Sequence, residues 1–385
     1  MRILITGANG FIGKNLQRHL SELKNIKIFT FTREDNISLL PKLVKNVDFV
    51  FHLAGVNRPK NESEFLPVNA QLTEILCDLI ANEIKLTKRK IGLVFTSSIQ
   101  ADSGTLYGLS KKKAEESVIK LGELKNALVF IFRLPNLFGK WSRPNYNSVV
   151  ATFCYNIAHQ LPLVINNPDD QIMFVYIDDL VECFLGLLNN PSAKNFSNFG
   201  IQQEKSRFFS VKTSYLVTLR EVTSLIKSFK NSRKTHLTER VGQGFCRALY
   251  ATYISYLPVH SCAYKLSPHR DARGSFIEFI KTPDCGQISV FTTAPGCIRG
   301  SHYHHSKTEK FLVIKGKSKF SFTNINGGET HELFVSDKQL EVIETIPGWA
   351  HEIENIGNDE MIVILWSNEI YNIDKPDTYS YSMVT

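Results

Sequence analysis

A glycine-rich turn directly after a short hydrophobic run is the feature that most constrains how this chain folds. The run Arg2–Thr6 leads into Gly7, Gly10 and Gly13, and a helical pattern follows. Such a turn lets backbone N–H groups approach a diphosphate without an intervening Cβ, and it lets the helix pack closely on the strand. Three glycines alone are a weak signal, but the strand before them and the helix after them predict a dinucleotide site.

The pattern of hydrophobic segments divides the chain into two parts. In residues 1–245, strand-like runs alternate with helical segments, which predicts βαβ units in a Rossmann-like, doubly wound parallel sheet of α/β class. The expected strands are Arg2–Thr6, Ile26–Phe31, Asp48–Leu53, Ile91–Thr96 and Ala127–Arg133, and the expected helices include Glu64–Lys85, Tyr107–Leu121 and Leu219–Phe229. In residues 246–385, and clearly from Cys262 onward, short strands separated by Gly, Asn and Pro predict an all-β domain.

Further motifs follow the glycine turn in a regular order. They are His52-Leu53-Ala54-Gly55, Asn69, Tyr107-Gly108-Leu109-Ser110-Lys111, Arg133-Leu134-Pro135-Asn136-Leu137-Phe138-Gly139 and Phe174-Val175-Tyr176-Ile177-Asp178-Asp179. With the Gly-x-x-Gly-x-x-Gly spacing, this series resembles the extended short-chain dehydrogenase/reductase family over residues 1–230. The resemblance implies a nicotinamide dinucleotide bound by Gly7, Asn9, Gly10, Phe11, Ile12, Gly13, Leu53, Ala54, Gly55, Tyr107 and Lys111.

Tyr107 and Lys111 are the candidate proton-transfer pair. They are four residues apart on an expected helix, so both side chains lie on one face. A nearby ammonium lowers the pKa of a phenol, which predicts that Tyr107 exchanges protons near neutral pH. A Tyr-x-x-x-Lys pair also occurs by chance on solvated helices, but here it follows a Rossmann strand. Ser98, just past that strand, is expected to hydrogen-bond the substrate carbonyl, and the short interval to Tyr107 leaves Ser97 open for the same role.

The end of the second strand bears on the choice of coenzyme. An acid about twenty residues beyond the glycines would bind the ribose hydroxyls of NAD, whereas a basic residue accommodates the phosphate of NADP. Thr32 and Arg33 occupy this place, followed by Glu34 and Asp35. We therefore expect NADPH to bind through Arg33. The alternative is that Arg33 is an ordinary loop charge.

The second part contains a set of histidines with metal-ligand spacing. His302 and His304 are two residues apart, so they point to one side of a strand, and Glu309 and His351 follow. Imidazole and carboxylate ligands suit Zn, Fe, Mn or Ni. His-x-His-x4-Glu-x6-Gly followed by Pro-Gly-x2-His-x3-Asn resembles the two motifs of the cupin (jelly-roll) fold. The set predicts a divalent metal at these four residues, with zinc favoured, while His305 is a solvated neighbour, a substitute ligand or a base.

Ahead of the histidines lies the segment Asp271-Ala272-Arg273-Gly274-Ser275-Phe276. It is similar to the opening segment of cupin-class sugar-nucleotide epimerases, in which the Arg contacts the diphosphate of the substrate. The resemblance therefore implies that Arg273 binds substrate. The alternative is a turn capped by Asp271 with a buried Phe276.

A short-chain reductase followed by a cupin resembles the bifunctional reductases of capsular-polysaccharide synthesis. That resemblance implies a UDP-linked N-acetylated 4-keto-6-deoxyhexose substrate on the route to UDP-N-acetyl-L-fucosamine, with Arg133 and Asn136 as further substrate-binding residues. It assigns epimerisation at C3 to the cupin and NADPH-dependent reduction at C4 to the first part, through Ser98, Tyr107 and Lys111. The alternative is an epimerase or 4,6-dehydratase of the same fold whose cupin serves only dimerisation or binding.

The epimerisation is reasonable on chemical grounds. A 4-keto group acidifies the C–H bonds of its neighbouring carbons, so a base in the cupin pocket can remove a proton and return it with inversion. A cation in that pocket would either stabilise the enolate or be structural, and the sequence leaves both roles open.

Composition excludes several other classes of protein. The net charge of +8 is positive on the first 245 residues and slightly negative on the remainder, and the nucleotide motifs account for the excess without nucleic acid. The longest apolar stretches, such as Leu128–Phe132, are too short for a membrane span, and we expect no signal peptide. Seven cysteines without paired spacing indicate a reduced, cytoplasmic chain, and both families that it resembles suggest a homodimer.

Overall fold

The computed structural model describes residues 1–192 and 196–383. Its contacts divide the chain into two compact units: unit 1 comprises Met1–Ile226 and Ala248–Leu257, and unit 2 comprises Lys227–Arg247 and Pro258–Thr385. The chain therefore passes between the units at three points, whereas a single boundary after residue 245 was expected from the sequence. One of the three points lies within two residues of that boundary. No helix among the described residues is both long enough and apolar enough to cross a membrane.

Unit 1 is built on a parallel sheet. Its strands are β1 (Arg2–Thr6), β2 (Lys27–Phe31), β3 (Phe49–His52), β4 (Ile91–Ser98), β5 (Ala127–Leu134), β6 (Asn136–Phe138), β7 (Gln171–Tyr176), β8 (Ile201–Lys205), β9 (Phe208–Val211) and β10 (Tyr215–Thr218). The main sheet has the order β2-β1-β3-β4-β5-β9-β8, and only β8 runs antiparallel to its neighbour. A second sheet has the order β10-β7-β6. The strand order reverses between β1 and β3, which is where ligands bind in open α/β sheets.

Helices connect or follow these strands, as the alternating pattern predicts, and the last two helices are divided between the units. They are α1 (Phe11–Ser21), α2 (Leu40–Val44), α3 (Leu72–Thr87), α4 (Leu106–Leu121), α5 (Val149–Ala158), α6 (Ile177–Asn189), α7 (Leu219–Thr235) and α8 (Gly244–Ser255). The sheet and the helices share a core that includes Leu4, Val50, Leu76, Phe95 and Val118, each fully buried. The continuous apolar runs of β1, β3 and β4 follow from burial of both sheet faces.

One expected helix is divided into three pieces. The segment predicted as Glu64–Lys85 consists of a 3₁₀ turn (Glu62–Glu64), a π-helical turn (Leu66–Gln71) and α3. Pro67 lies in the first turn of the π segment and has no N–H, so it cannot donate a hydrogen bond to the preceding 3₁₀ turn. Asn69 lies within the π turn. The break in the helix therefore falls at one of the motif residues identified from the sequence, as is common for π turns at functional sites.

Unit 2 is all-β apart from its first segments. Its strands are β11 (His269–Asp271), β12 (Gly274–Thr282), β13 (Gly286–Thr293), β14 (Ile298–Tyr303), β15 (Glu309–Lys315), β16 (Lys317–Asn324), β17 (Thr330–Ser336), β18 (Val342–Glu344), β19 (Trp349–Asn355), β20 (Met361–Ser367) and β21 (Tyr379–Ser380). They form two antiparallel sheets, β11-β12-β13-β20-β15-β18 and β17-β16-β19-β14-β21. Phe311 and Val363 of the first sheet and Phe320 and Ile353 of the second share one core. This is the cupin-like domain that the sequence predicts.

Candidate active site and candidate metal centre

The glycine turn lies at the carboxyl end of β1, at the reversal point of the sheet. Gly7 has a φ of +69°, and its N–H donates to the carbonyl of Phe31 at 2.8 Å. A Cβ on Gly7 would lie 2.6 Å from the backbone nitrogen of Ala54, and one on Gly13 would lie 2.5 Å from the carbonyl oxygen of Gly7. These two glycines are therefore required by backbone packing. The turn ends at Gly10, where α1 begins with no acidic residue in its first turn, so its free N–H groups can receive a phosphate.

A cleft of about 1290 Å³ opens above this turn. The sequence-predicted residues that line it are Gly7, Asn9, Gly10, Phe11, Ile12, Gly13, Arg33, Leu53, Ala54, Gly55, Ser98, Tyr107, Lys111 and Asn136. The fold thus brings the dinucleotide turn, the proposed catalytic trio and one predicted substrate-binding residue to a single cavity. Its volume exceeds that of ordinary small-molecule sites, and a dinucleotide together with a nucleotide sugar requires such room.

His52 lies buried beneath the cleft. Thr73 donates its hydroxyl proton to the carbonyl of Asn69, so its oxygen accepts from Nε2–H of His52 at 2.8 Å. Nδ1 of His52 then accepts from the hydroxyl of Thr6 at 2.6 Å. Burial, aided by the charge of Lys111, lowers the pKa of His52 to about 3. The imidazole is therefore neutral and joins β1, β3 and α3.

Hydrogen bonds of the Asn69 side chain connect the loop after β3 to α4, the helix that carries Tyr107 and Lys111. Its side chain accepts from the N–H of Val56 at 2.8 Å and donates to the carbonyl of Val56 at 2.9 Å. It also donates to the hydroxyl of Ser110 on α4 at 3.0 Å. The motif series includes Asn69, but the sequence alone does not predict that its side chain binds Val56 and Ser110.

Ser98, Tyr107 and Lys111 meet at the cleft wall. Ser98 lies at the last position of β4, and its hydroxyl contacts the phenol of Tyr107. Nζ of Lys111 donates to the carbonyl of Thr96 at 2.9 Å and lies 5.1 Å from the ring centroid of Phe95. Burial lowers the pKa of Lys111 to about 8, against the opposing charge of Glu115.

The expected direction of the Tyr107 pKa is wrong. Burial raises the pKa of the phenol above its ordinary value, and the contact with Ser98 only partly offsets this. The ammonium of Lys111 donates to a backbone carbonyl rather than to the phenol oxygen, so desolvation dominates. Tyr107 therefore carries its proton at neutral pH.

Ser97, which also lines the cleft, and Arg133 both bind the carboxylate of Glu115. Ser97 donates to Oε1 of Glu115 at 2.5 Å, and the Arg133 guanidinium donates to both Glu115 oxygens at 2.9 and 2.7 Å. Arg133 is not among the residues that line the cleft, so the structure does not bring it to the site expected for substrate. Because the Ser97 hydroxyl is already committed to Glu115, the geometry favours Ser98 for contact with a ligand.

Arg33 lies at the rim of the cleft. Its side chain is 76% exposed, and its guanidinium contacts Glu64 at 2.5 Å. Asp35, which follows closely, accepts from the N–H and the hydroxyl of Thr32 at 2.7 and 2.8 Å. The Asp35 carboxylate is thus turned into its own loop, while Arg33 extends into solvent.

The four predicted metal ligands of unit 2 converge. One donor atom from each of His302, His304, Glu309 and His351 lies within 4.8 Å of all the others. His302 and His351 face each other across β14 and β19, and a bulge between Gly300 and His302 turns the end of β14. His304 follows that strand directly, and Glu309 begins β15.

The donor atoms of this cluster fit a cation. Nε2 of His302, of His304 and of His351 is buried and makes no hydrogen bond of good geometry among the described residues, and Nδ1 of His351 is likewise unpartnered. Nε2 of His304 and of His351 lie 3.3 and 3.4 Å from Oε2 of Glu309. Three imidazole nitrogens and a carboxylate form a donor set that suits zinc and related metals. Buried polar atoms without partners are costly, and a bound ion would satisfy one nitrogen of each imidazole.

Residues outside the motif hold this cluster. Nδ1–H of His304 donates to the carbonyl of Asp377 at 2.6 Å, which leaves Nε2 with its lone pair directed at the cluster. The carboxylate of Asp377 accepts from the N–H groups of His305, Ser306 and Lys307 at 2.7–2.8 Å. A residue near the end of the chain therefore fixes the loop between two ligands. The sequence carries no signal for this role.

Charge within the cluster is unevenly distributed. Burial would raise the pKa of Glu309, but the imidazoles of His304 and His351 and the Lys307 ammonium, 3.1 Å from Oε1, hold it below its usual range. Burial, with a smaller contribution from His351, lowers the pKa of His302 to about 4. The cluster thus combines an ionised Glu309 carboxylate with the neutral imidazole of His302.

The remaining predicted residues of unit 2 lie on its surface. Arg273 follows a turn in which its guanidinium contacts Asp271 at 2.6 Å, and its side chain is half exposed. The turn capped by Asp271 is therefore present, but Phe276 is only partly buried, and Arg273 remains accessible. His305 packs against the rings of Tyr303 and Tyr379 rather than joining the four ligands.

Comparisons with known proteins agree with this architecture. The NAD dependent epimerase/dehydratase family matches residues 3–200, and the polysaccharide biosynthesis C-terminal domain matches residues 269–379. The chain is 48% identical to the UDP-2-acetamido-2,6-beta-L-arabino-hexul-4-ose reductase of Pseudomonas aeruginosa, with 100% of this chain and 99% of that protein covered.

Solved structures extend the comparison. The capsular polysaccharide assembling protein CapF from Staphylococcus aureus is 39% identical, with a TM-score of 0.87 over 99% of this chain and 100% of that chain. The UDP-glucuronic acid 4-epimerase of Bacillus cereus in complex with NAD is 17% identical, with a TM-score of 0.50 over 60% of this chain and 83% of that chain, and so supports the fold alone. The chain therefore belongs to the NAD dependent epimerase/dehydratase family, within the group of nucleotide-sugar reductases that carry a polysaccharide biosynthesis C-terminal domain.

Proposed function

We propose that this chain reduces the C4 ketone of a UDP-N-acetyl-4-keto-6-deoxyhexosamine with NADPH, after epimerisation at C3 in unit 2, in the biosynthesis of UDP-N-acetyl-L-fucosamine for capsular polysaccharide. The observation that carries the proposal is the meeting of Ser98, Tyr107 and Lys111 at the wall of a cleft whose floor is a dinucleotide turn. The full-length similarity to the Pseudomonas aeruginosa reductase supports the substrate class.

The residues of the cleft fit a nicotinamide dinucleotide phosphate. Backbone packing excludes a side chain at Gly7 and Gly13, and the start of α1 provides free N–H groups for the diphosphate. Asp35 is engaged by Thr32, so it is not free to bind the ribose hydroxyls of NAD. Arg33 is the cation at the rim and would bind the phosphate of NADPH, exchanging its contact with Glu64.

The reduction assigns one task to each member of the trio. NADPH supplies the hydride that the carbonyl carbon receives. Tyr107, whose pKa is raised by burial, keeps its proton until the carbonyl oxygen becomes basic, and then donates it. Ser98 contacts the phenol and orients the carbonyl, while Lys111 binds the ribose and supplies the nearby positive charge.

The histidine cluster supports the epimerisation. Loss of the C3 proton from a 4-ketose places negative charge on the substrate, and the pocket must stabilise it. His302, His304, Glu309 and His351 would hold a divalent cation, with zinc favoured by the three imidazoles, and that cation would supply either charge stabilisation or shape. Arg273 is accessible for the diphosphate of the substrate. Asn136, which lines the cleft of unit 1, remains the predicted substrate contact there.

A homodimer and a cytoplasmic location complete the proposal, and both rest on resemblance to the parent families. Sedimentation of the full chain tests the dimer.

The decisive experiment separates the two reactions. The full chain is incubated with NADPH and candidate UDP-4-keto sugars in deuterated water, and the product is identified by NMR. Tyr107→Phe is expected to reduce NADPH oxidation by about 10³-fold, because the proton donor is lost, while deuterium uptake at C3 continues. Tyr155→Phe, the same change on α5 outside the residues lining the cleft, serves as the control.

His351→Ala is expected to produce the opposite result. It should abolish deuterium uptake while NADPH still binds, and His331→Ala on the surface of unit 2 provides its control. Loss of deuterium uptake in Tyr107→Phe would contradict the two-site proposal. A wild-type protein that converts the sugar without net NADPH consumption would instead establish the epimerase or dehydratase alternative.

A further inference from the structure

A chain of alternating charges extends from the surface of unit 1 to its catalytic lysine. Lys112 contacts Asp102 at 3.1 Å, and Asp102 contacts Arg133 at 2.5 Å. Arg133 binds both oxygens of Glu115 at 2.9 and 2.7 Å. Glu115 lies four residues after Lys111 on α4, so the two side chains share one face of the helix.

Burial increases steadily along this chain. The side chains of Lys112 and Asp102 are about half exposed, that of Arg133 is 30% exposed, and that of Glu115 is 3% exposed. An ionised carboxylate buried to this extent requires several partners. The planar fork of Arg133 and the hydroxyl of Ser97 donate to Glu115, so both of its buried oxygens have hydrogen-bond partners.

A buried ammonium such as that of Lys111 loses its proton more easily unless a negative charge lies nearby. Its ammonium is buried and donates to the carbonyl of Thr96, with Phe95 beneath it and the neutral imidazole of His52 nearby. Burial lowers its pKa to about 8, and the carboxylate of Glu115 opposes this shift. The other titratable group that shares the cleft face of α4 with Lys111 is Tyr107, whose phenol is protonated. No direct ion pair joins Glu115 to Lys111 among the described residues. Glu115 lies one helical turn away on the same face of α4, and its charge acts on the Lys111 ammonium from there.

We propose that Glu115 is a positioning residue for the ketone reduction: its buried carboxylate, fixed by Arg133 and Ser97, keeps Lys111 charged at neutral pH. The inference rests on the proposed function. It also assigns a role to Arg133 that differs from substrate binding, because both edges of its guanidinium are engaged by Glu115 and Asp102. Ser97 likewise supports the carboxylate, and Ser98 is left for the substrate.

The test is the pH profile of kcat/KM for NADPH oxidation by the full chain. The alkaline limb reports Lys111, because its pKa of about 8 lies below that of Tyr107. Glu115→Gln preserves shape and removes the charge, so we expect the limb to move about one pH unit toward acid. The variant would then be about tenfold less active above pH 8 and approach the wild type near pH 6. Glu116→Gln makes the same charge change on an exposed position of α4 and should leave the limb in place.

A purely structural role would produce a different pattern. An equal loss of activity at every pH, with the limb unmoved, would overturn the proposal. Glu115→Asp keeps the charge, so its limb should match the wild type even where thermal stability falls. A limb that moved in Glu115→Asp as far as in Glu115→Gln would also overturn it.

NADPH binding provides a readout that does not depend on turnover. Lys111 is expected to bind the ribose, so Glu115→Gln should weaken binding of NADPH, followed by its fluorescence, between pH 7 and pH 9 but not at pH 6. If the wild type binds NADPH but oxidises it in the presence of none of the UDP-4-keto sugars, the proposed function fails. The comparison of NADPH binding still tests the role of Glu115 in that case. Identical binding profiles for Glu115→Gln and the wild type would count against the role of Glu115 alone.

Discussion

The cleft of unit 1 is lined by loops at the carboxyl ends of parallel strands, whereas the histidine cluster of unit 2 lies on paired antiparallel strands. In the cleft, the central requirement is space for backbone N–H groups, and Gly7 and Gly13 provide it. In the cluster, the requirement is that three side chains from residues 302–309 converge with His351 from a distant strand, and the donor atoms of all four lie within 4.8 Å of one another. The first site is open and its shape depends on the backbone, so we call it the backbone-built site. The second is buried and depends on the placement of side chains, so we call it the side-chain-built site. Their sensitivities to substitution should therefore differ in kind.

Gly13→Ala tests the backbone-built site and should have the largest effect. A Cβ there would lie 2.5 Å from the carbonyl oxygen of Gly7, so the turn must open, and we expect about 100-fold weaker NADPH binding. Nicotinamide fluorescence measures it. Gly242→Ala, which meets nothing within 4 Å, is the control. Unchanged NADPH affinity in Gly13→Ala would show that the turn does not bind the dinucleotide.

Asp377→Ala tests the side-chain-built site through a residue that is not itself a predicted ligand. Loss of its carboxylate frees the N–H groups of residues 305–307, so His304 loses its orientation, and we expect metal affinity to fall about 10- to 100-fold. Competition with a chelating dye measures the affinity for zinc. Asp374→Ala removes the same charge from an exposed neighbour and should leave the affinity unchanged. Equal affinities in the two variants would contradict the role of Asp377.

The pH dependence of stability tests whether His52, which is buried beneath the cleft, stays neutral in the folded chain. Its pKa is about 3 in the folded chain and near 6.5 when unfolded, so the unfolded chain binds the extra proton between these values. The stabilisation from neutral His52 is complete above pH 6.5 and is lost as the pH falls toward 3. Between pH 7 and pH 5 it should cost about 2 kcal/mol in the free energy of unfolding.

Urea unfolding of the full chain at the two pH values measures this difference. His52→Gln should remove about 2 kcal/mol of the pH dependence, whereas His159→Gln, an exposed histidine, should not. The same pH dependence in all three proteins would show that His52 is not the responsible group.

Arg33→Gln tests the solvent-exposed rim, where the smallest effect is expected. Losing one charge-assisted contact to the phosphate of NADPH should lower the NADPH preference over NADH by about tenfold in kcat/KM. Steady-state rates with the two coenzymes give the ratio, and Lys24→Gln, a charge removed elsewhere on unit 1, is the control. A ratio that did not move would leave Arg33 as an ordinary loop charge paired with Glu64.

The two sites also differed in how far the sequence could predict them. The cleft residues fall in short motifs that follow strands, so their positions at one edge of a parallel sheet follow from topology. The four residues of the cluster, His302, His304, Glu309 and His351, were also singled out as candidate ligands, because cupin spacing is regular. Asp377 and Glu115 were missed, since the partners to which each is hydrogen-bonded are distant in sequence.

Local pattern thus determined the alternation of strands and helices, the need for glycine at the first turn, the change to an all-β second part and the candidate ligands. Tertiary structure decided three other matters. It placed Arg133 with Glu115, and it raised the pKa of Tyr107, which had been expected to fall. It also tied His304 to Asp377. The physical reason is the same in each case: hydrogen-bond partners and desolvation depend on which groups meet in space, and spacing along the chain does not contain that information.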